Sequence, residues 1–338
     1  MVELKGKTPL ADIIIVNYRS ADYLKACVVG LQAQTVPNFR VFLVDNSPEN
    51  GDVDRLGPLD DRFTVLPQSG NTGFARGSNI GAAQGSAPFV VMLNPDAAPA
   101  TDWLESLLAC IVETGAGMAG STQLMATDPS RLDGAGDAYS PIGVAWRGGF
   151  ERPAKNVPET GSCFSPCAAA SIYRREVFDA VGGFDERFFC YMEDVDIGYR
   201  IRLRGGFGVQ CRRSIVHHVG SASSAPTSPF VIYHGTRNRI WTFLKNTPPL
   251  LLIAMLPAHV LINLAFLVRS FVHRRFRTTW KATLDGVGGW GWIMRERREL
   301  ARTRTVGSLG IARSLTWSPL VLLRRAPDIR PLETGQTE

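Results

Sequence analysis

Four short, uninterrupted apolar runs, each closing in a polar turn, constrain this chain more than any other feature. They are "ADIIIVNY" (11–18), "FRVFLVDNS" (39–47), "RFTVLPQ" (62–68) and "PFVVMLNPDAAP" (88–99). Runs of this length without alternation suit strands buried on both faces, the pattern of a parallel sheet covered by helices. Helical stretches fall between them: 23–34, with Leu24, Cys27, Val28 and Leu31 on one face; 73–85, with glycines at 73, 77 and 81; and 103–113. This alternation predicts an α/β fold on a mostly parallel sheet. Ligands of such sheets sit beyond the C-terminal strand ends, where this chain has Asn17, Asp45, Asn94 and Asp96.

The remainder is less regular. From 114 to about 171 Gly, Pro and Ser are frequent, so a loop-rich segment with irregular strands is expected, "VAWRGGFE" (144–151) among them. A helix over 174–181 follows. Residues 246–268 then form a 23-residue stretch with no formal charge, long enough to span a bilayer. Pro257, His259 and Asn263 interrupt it, and basic residues flank both sides. A single span should show a charge bias between its flanks. A helix lying in or dipping into the interface fits better, followed by basic amphipathic helices over 280–304. The expected organisation is one domain over 1–245 and a helical, membrane-associating extension over 246–338.

Charge supports that division. The net +6 is not spread evenly: residues 1–268 hold 23 Lys/Arg against 25 Asp/Glu, whereas 269–325 hold 13 against 3. A neutral body with a basic tail points to an anionic surface and away from nucleic acid. Six cysteines, at 27, 110, 163, 167, 190 and 211, include no C-x-x-C pair. This disfavours zinc and predicts free, mostly buried thiols in a reducing compartment. The first twelve residues contain no apolar signal core, so a cytoplasmic body is expected.

Four stretches offer chemistry. "LNPDA" (93–97) puts Asp96 just past a buried strand. Mg²⁺ takes only one or two carboxylates plus substrate phosphates, so one Asp suffices, as it does for an ordinary Pro-Asp turn. "NTGFARGSNIG" (71–81) lacks the G-x-G-x-x-G spacing of a dinucleotide site, which disfavours an NAD-linked enzyme. Its helix start, with Arg76 in the first turn, suits phosphate; close helix–sheet packing is the competing reason for its glycines. "IVHHVGSAS" (215–223) offers His217 and His218, and an imidazole can complete a Mn²⁺ or Mg²⁺ site. Neighbours on a strand point opposite ways, so at most one serves. "FFCYMEDVDIGYRIRLRGG" (188–206) sets Glu193, Asp194 and Asp196 against an apolar wall, where helix capping is the plainest role.

In order, "VNYRS", "LVDNS", "NTGFARGSN", "LNPDA", "FDERFFCYMEDVD", "HHVG" and "YHGTRNR" resemble the inverting glycosyltransferases of family 2, most of all their bacterial rhamnosyltransferase-type members. The likeness covers residues 11 to about 245. It implies a GT-A fold (a Rossmann-like mixed sheet flanked by helices), a nucleoside-diphosphate sugar donor and a divalent cation, Mg²⁺ or Mn²⁺. It further implies that Val16, Asn17, Asp45, Asn71, Arg76, Asn79 and Asn94 bind the nucleotide sugar, Asp45 through the pyrimidine base. Asp96 takes the last position of the D-x-D metal motif, while Asn94 at its first position leaves one carboxylate. His217 is preferred to His218 as the further metal contact. Asp194 becomes the general base and Glu193 a ligand of acceptor hydroxyls. Arg237 would approach the diphosphate or acceptor, and Asp196 is left to cap its helix. The implied reaction moves L-rhamnose from dTDP-rhamnose to a lipid-linked cell-wall or surface-polysaccharide precursor at the cytoplasmic face of the membrane. UDP-galactofuranose, UDP-glucose or UDP-GlcNAc donors, or a non-catalytic sugar-nucleotide-binding protein, are the alternatives. All of this requires Asp96 and Asp194 to flank one pocket from opposite sides.

Overall fold

The structure is a computed structural model that describes residues 8–220 and 227–332. The first seven residues and the end of the histidine segment, 221–223, lie outside it. The alternation read from the sequence is present as β1 (Ala11–Asn17), α1 (Ala21–Gln32), β2 (Phe39–Asp45), β3 (Phe63–Pro67), α2 (Gly73–Ala83), β4 (Phe89–Leu93), β5 (Ala97–Pro99) and α3 (Trp103–Thr114). Strands β3, β2, β1 and β4 lie side by side and parallel. One face of β1 packs Ile13 and Ile15 against Leu24, Leu31, Trp103 and Leu107 of α1 and α3. The other packs Ile14 and Val16 against α2. A Cβ on Gly77 or Gly81 would come within 2.8 Å of Val16 or 2.7 Å of Ile14, so these glycines serve close helix–sheet approach.

The second half completes a mixed sheet. Its strands are β6 (Met118–Met125), β7 (Asp128–Gly134), β8 (Asp137–Tyr139), β9 (Ala145–Arg147), β10 (Gly161–Cys163), β11 (Ala170–Arg174) and β12 (Gly208–His218), with helices α4 (Arg175–Ala180) and α5 (Glu193–Leu203) between the last two. The order is β10-β12-β6-β11-β4-β1-β2-β3, with β5 on β12 and β7 on β6. The antiparallel β11 joins β4 to β6. The region read as loop-rich therefore contains a regular eight-residue strand, β6. Its hydrophobic signal is missing because Ser121, Thr122 and Gln123 are buried. Trp103 Nε1 donates to Ser121 Oγ at 2.8 Å, and Gln210 Nε2 to Thr122 Oγ1 at 3.2 Å.

The expectation of six free thiols is corrected. Cys110 of α3 and Cys211 of β12 form a disulfide across 101 residues of sequence, which no local spacing could reveal. Cys27, Cys163, Cys167 and Cys190 are free.

The last third is helical: α6 (Pro229–Asn246), α7 (Pro249–Val272), α8 (Phe276–Gly288), α9 (Trp290–Thr303), α10 (Ser308–Ser314) and α11 (Pro319–Leu323). The chain then returns to the body, where Arg330 and Ser162 exchange backbone hydrogen bonds of 2.7 and 2.9 Å and Trp146 Nε1 donates to Ala326 O at 2.9 Å.

Candidate active site

A cavity of about 340 Å³ opens at the C-terminal ends of β1, β2 and β4. Val16 comes from β1 and Asn46 from the turn after β2. Asn71, Gly73 and Phe74 come from the start of α2, Asn94 and Asp96 from the turn after β4, and His218 from the end of β12. The register explains why His218 belongs here. β12 runs antiparallel to β5 with His218 opposite Ala97, the residue after Asp96, so His218 Nε2 lies 3.2 Å from Asp96 Oδ1 and 3.4 Å from Asn94 Nδ2. His217, one step along the strand, points to the other face. The preference for His217 is corrected to His218.

Beyond the imidazole, His218 Nδ1 sits 2.6 Å from Asp133 Oδ2 of β7. Burial alone would lower the His218 pKa, but hydrogen bonds and charge from Asp133 and Asp96 outweigh it and hold it above the ordinary value. Asp133 also receives Arg147 Nη1 of β9. Sequence reasoning missed both residues, because β7 and β9 lie in the segment with no legible periodicity.

A second cavity, about 370 Å³, adjoins the first and is lined by Asp137, Cys167, Glu193 and Asp194. The two share Phe74, Asn94, Arg147, Cys190 and Tyr191. Asp96 and Asp194 thus flank two adjoining chambers with a common wall, not the single undivided pocket expected. At the start of α5, Asp194 accepts from Val195 N at 2.8 Å and Ala168 N at 3.3 Å. Burial raises its pKa, while those amides and the Arg147 charge oppose the rise. Glu193 and Asp137 are pushed well above the carboxylate range, each by burial first and then by the Asp194 charge. All three carboxyls are raised by burial, and Asp194, which accepts from two neighbouring amides, is raised less strongly than Glu193 and Asp137. Glu193 Oε2 is buried with no hydrogen-bond partner, free to meet a hydroxyl.

Asn17 and Asp45 stand one layer behind the first cavity, Asn17 Nδ2 donating to Asp45 Oδ1 at 3.0 Å and to Asp52 Oδ2 at 3.3 Å. Arg76 is largely exposed and faces Glu186 at 3.8 Å. Asn79 bonds both backbone groups of Phe184, at 2.8 and 2.9 Å, and ties α2 to the segment before α5. Arg237 donates to the carbonyls of Arg187 and Phe188 at 3.2 and 3.1 Å, so it braces the approach to Asp194 and does not line either chamber. The capping role expected of Asp196 is also corrected. Met192 occupies the N-cap, and fully buried Asp196 pairs with Arg200 at 2.8 Å and Lys245 at 2.6 Å, anchoring α5 to α6.

Among the described residues, two groups could hold a cation. Asp137, Cys167 and Asp194 present ligand atoms within 4.8 Å of one another, but burial lifts the Cys167 thiol to about 12, and a neutral thiol is a poor ligand for Mg²⁺ or Mn²⁺. Asp96 and His218 fit better: a carboxylate and an imidazole converge on the cavity, with the imidazole's second nitrogen bound to a carboxylate as metal-ligating histidines require.

The profile of glycosyl transferase family 2 matches residues 12–182. With the GT-A-like sheet and the two-chambered site, this defines the class: the chain belongs to glycosyl transferase family 2. Among relatives, it is 29% identical over 67% of its length to the O-antigen biosynthesis protein RfbC of Myxococcus xanthus, spanning 18% of that protein. It is 25% identical over 67% of its length to the N-acetylglucosaminyl-diphospho-decaprenol L-rhamnosyltransferase of Mycobacterium tuberculosis, spanning 82% of it. Solved structures share the fold. GalNAc-T7 with UDP, GalNAc and Mn²⁺ superposes with a TM-score of 0.56 at 15% identity, over 71% of this chain and 48% of that one. The mannosyltransferase PcManGT of Pyrobaculum calidifontis, with GDP-Man and Mn²⁺, superposes at 0.53 and 16%, over 90% and 86%.

Proposed function

We propose that the protein transfers L-rhamnose from dTDP-rhamnose to a hydroxyl of a lipid-linked cell-wall or surface-polysaccharide precursor, at the cytoplasmic face of the membrane. One observation carries the reading: the chamber of Asp96 and His218 adjoins the chamber of Asp194 through a common wall. Inverting transfer needs that division, because the acceptor hydroxyl must arrive on the side opposite the departing diphosphate.

On the acceptor side, anionic Asp194 takes the hydroxyl proton as the new C–O bond forms, and Glu193 hydrogen-bonds the acceptor through its unpartnered Oε2. On the donor side, Val16, Asn71 and Asn94 line the nucleotide-sugar chamber while Asn17 and Asp45 back it. Asp96 and His218 would hold Mg²⁺ or Mn²⁺, which when bound offsets the charge of the diphosphate. Arg76 and Arg237 act at the margins, Arg237 by bracing the turn before Asp194. The rhamnose assignment draws support from the Mycobacterium tuberculosis relative, whose name specifies that sugar and a decaprenol-linked acceptor. A lipid-linked acceptor also accords with the exposed apolar face of α7.

The test is a panel of nucleotide sugars incubated with the full chain and Mn²⁺, with nucleoside diphosphate release measured. Release is expected to be fastest from dTDP-rhamnose. In Asp194→Asn it should fall by roughly 100-fold or more while donor binding persists. Undiminished release from that variant would exclude Asp194 as the base, and preferential turnover of a UDP-sugar would reassign the donor.

A further inference from the structure

Asn94 leaves the cation site with one carboxylate, Asp96, yet a second carboxylate stands directly behind His218. Asp133 is 3% exposed, with Oδ2 2.6 Å from His218 Nδ1. A carboxylate only accepts, so Nδ1 bears the hydrogen there and donates it to Asp133. His218 Nε2, aimed at the cavity, lies 3.2 Å from Asp96 Oδ1. The same Asp133 oxygen holds the Arg147 guanidinium, and Arg147 lines both chambers. A single buried carboxylate thus orients the imidazole on the donor side and fixes the cation on the common wall.

We propose that Asp133 is a positioning residue of the cation site, supplying through His218 the second carboxylate that Asn94 does not provide, and anchoring Arg147 where donor and acceptor chambers meet. The inference rests on the glycosyltransferase reading above. Removing such a partner of a metal-bound histidine weakens metal binding by about 10–100-fold.

The experiment titrates Mn²⁺ by electron paramagnetic resonance into the full chain with dTDP present, for wild type, Asp133→Ala and Asp133→Asn. Asp133→Ala should bind Mn²⁺ about 10–100-fold more weakly. Asp133→Asn should lose less, because an amide oxygen still accepts from Nδ1. Donor KM should rise in both, since neither holds Arg147 as a carboxylate does. Wild-type Mn²⁺ affinity in both variants, with unchanged thermal unfolding, would overturn the proposal. Should the alanine variant fail to fold, the imidazole ¹⁵N spectrum of wild type decides. An Nδ1-protonated His218 with an Nε2 signal broadened by Mn²⁺ supports the role. An Nε2-protonated ring indifferent to Mn²⁺ refutes it. Wild type that neither binds Mn²⁺ nor turns over any nucleotide sugar would remove the functional reading and this inference together, whereas turnover with unaltered variant affinities removes only the role of Asp133.

Discussion

At the residue scale, the carboxylate proposed as the base is set apart by its neighbours. Glu193, Asp194 and Asp137 line one chamber, and three like charges in a buried space cannot all ionise. Two backbone amides favour the anion at Asp194, while burial and then the Asp194 charge raise Glu193 and Asp137 well above the carboxylate range. A pH prediction follows, with opposite signs for activity and stability. The native Asp194 holds its proton to higher pH than an unfolded aspartate, which releases it near pH 3.9. Between those two values the native state binds more protons, so stability falls as pH rises. Activity rises over the same window, because only the anion accepts a proton. The acid limb of kcat/KM should therefore lie above about pH 4. Asp194→Asn, which cannot ionise, should gain Tm relative to wild type as the pH is taken from 4 to 7. A Tm difference independent of pH would refute the burial-driven shift. This logic was only partly legible in the sequence. The carboxylate-rich helix start was visible, but the cluster is closed by Asp137 and Arg147, which are joined to it through the fold and not through spacing.

At the scale of elements, the segment joining the body to α5 is strained. Phe189, Tyr191 and Met192 have φ of 66°, 70° and 70°, a left-handed backbone that costs a non-glycine residue about 1–2 kcal/mol each. Gly73 makes room for it, since a Cβ there would lie 2.6 Å from Phe189. What holds it is Asn238 of α6, fully buried, whose Nδ2 donates to the carbonyls of Phe188, Cys190 and Tyr191 at 3.0, 2.9 and 2.7 Å. Asn238→Leu keeps the volume and removes the donor, leaving buried carbonyls unpaired at about 1–3 kcal/mol in total stability. The expected result is a lower Tm together with a fall in kcat and a rise in donor KM, because the turn leads into Asp194 and its residues line both chambers. A lower Tm with both constants unchanged would show that Asn238 serves stability alone. Elements built on apolar periodicity were readable in advance: β1, β2, β4 and the buried face of α1 follow from Ile, Val and Leu spacing alone. Strand β6 was not, because its buried side chains are polar and are satisfied by distant partners such as Trp103 and Gln210. The choice between His217 and His218 likewise needed the register of β12 on β5.

At the scale of the whole molecule, α7 is long and apolar enough to cross a bilayer, yet it is attached to the body along one side. His259 Nδ1 lies 2.8 Å from Ile142 O and its ring stacks on Phe243 at 3.9 Å. Asn263 Oδ1 accepts from Arg239 at 2.6 Å. The polar residues that interrupt the apolar run are the ones that fasten the helix to the protein. The helix therefore has one side fastened to the protein at His259 and Asn263. Its other side presents Ile253, Val260, Leu261, Leu264 and Val268, each 48–72% exposed, with Arg269, Arg274, Arg275 and Arg277 at one end. That combination suits a helix seated in the surface of an anionic leaflet. Burying a leucine-sized side chain contributes about 1.5–3 kcal/mol, so replacing Leu261, Leu264 and Val268 together by Gln should weaken binding to vesicles containing anionic lipid by roughly 100-fold or more. Raising the salt should weaken it further, through the arginines. Because these three side chains point away from the body, the Tm of the detergent-free protein should stay within about 1 °C of wild type or rise. Co-sedimentation equal to wild type would mean that the protein is not held at the membrane by this face of α7.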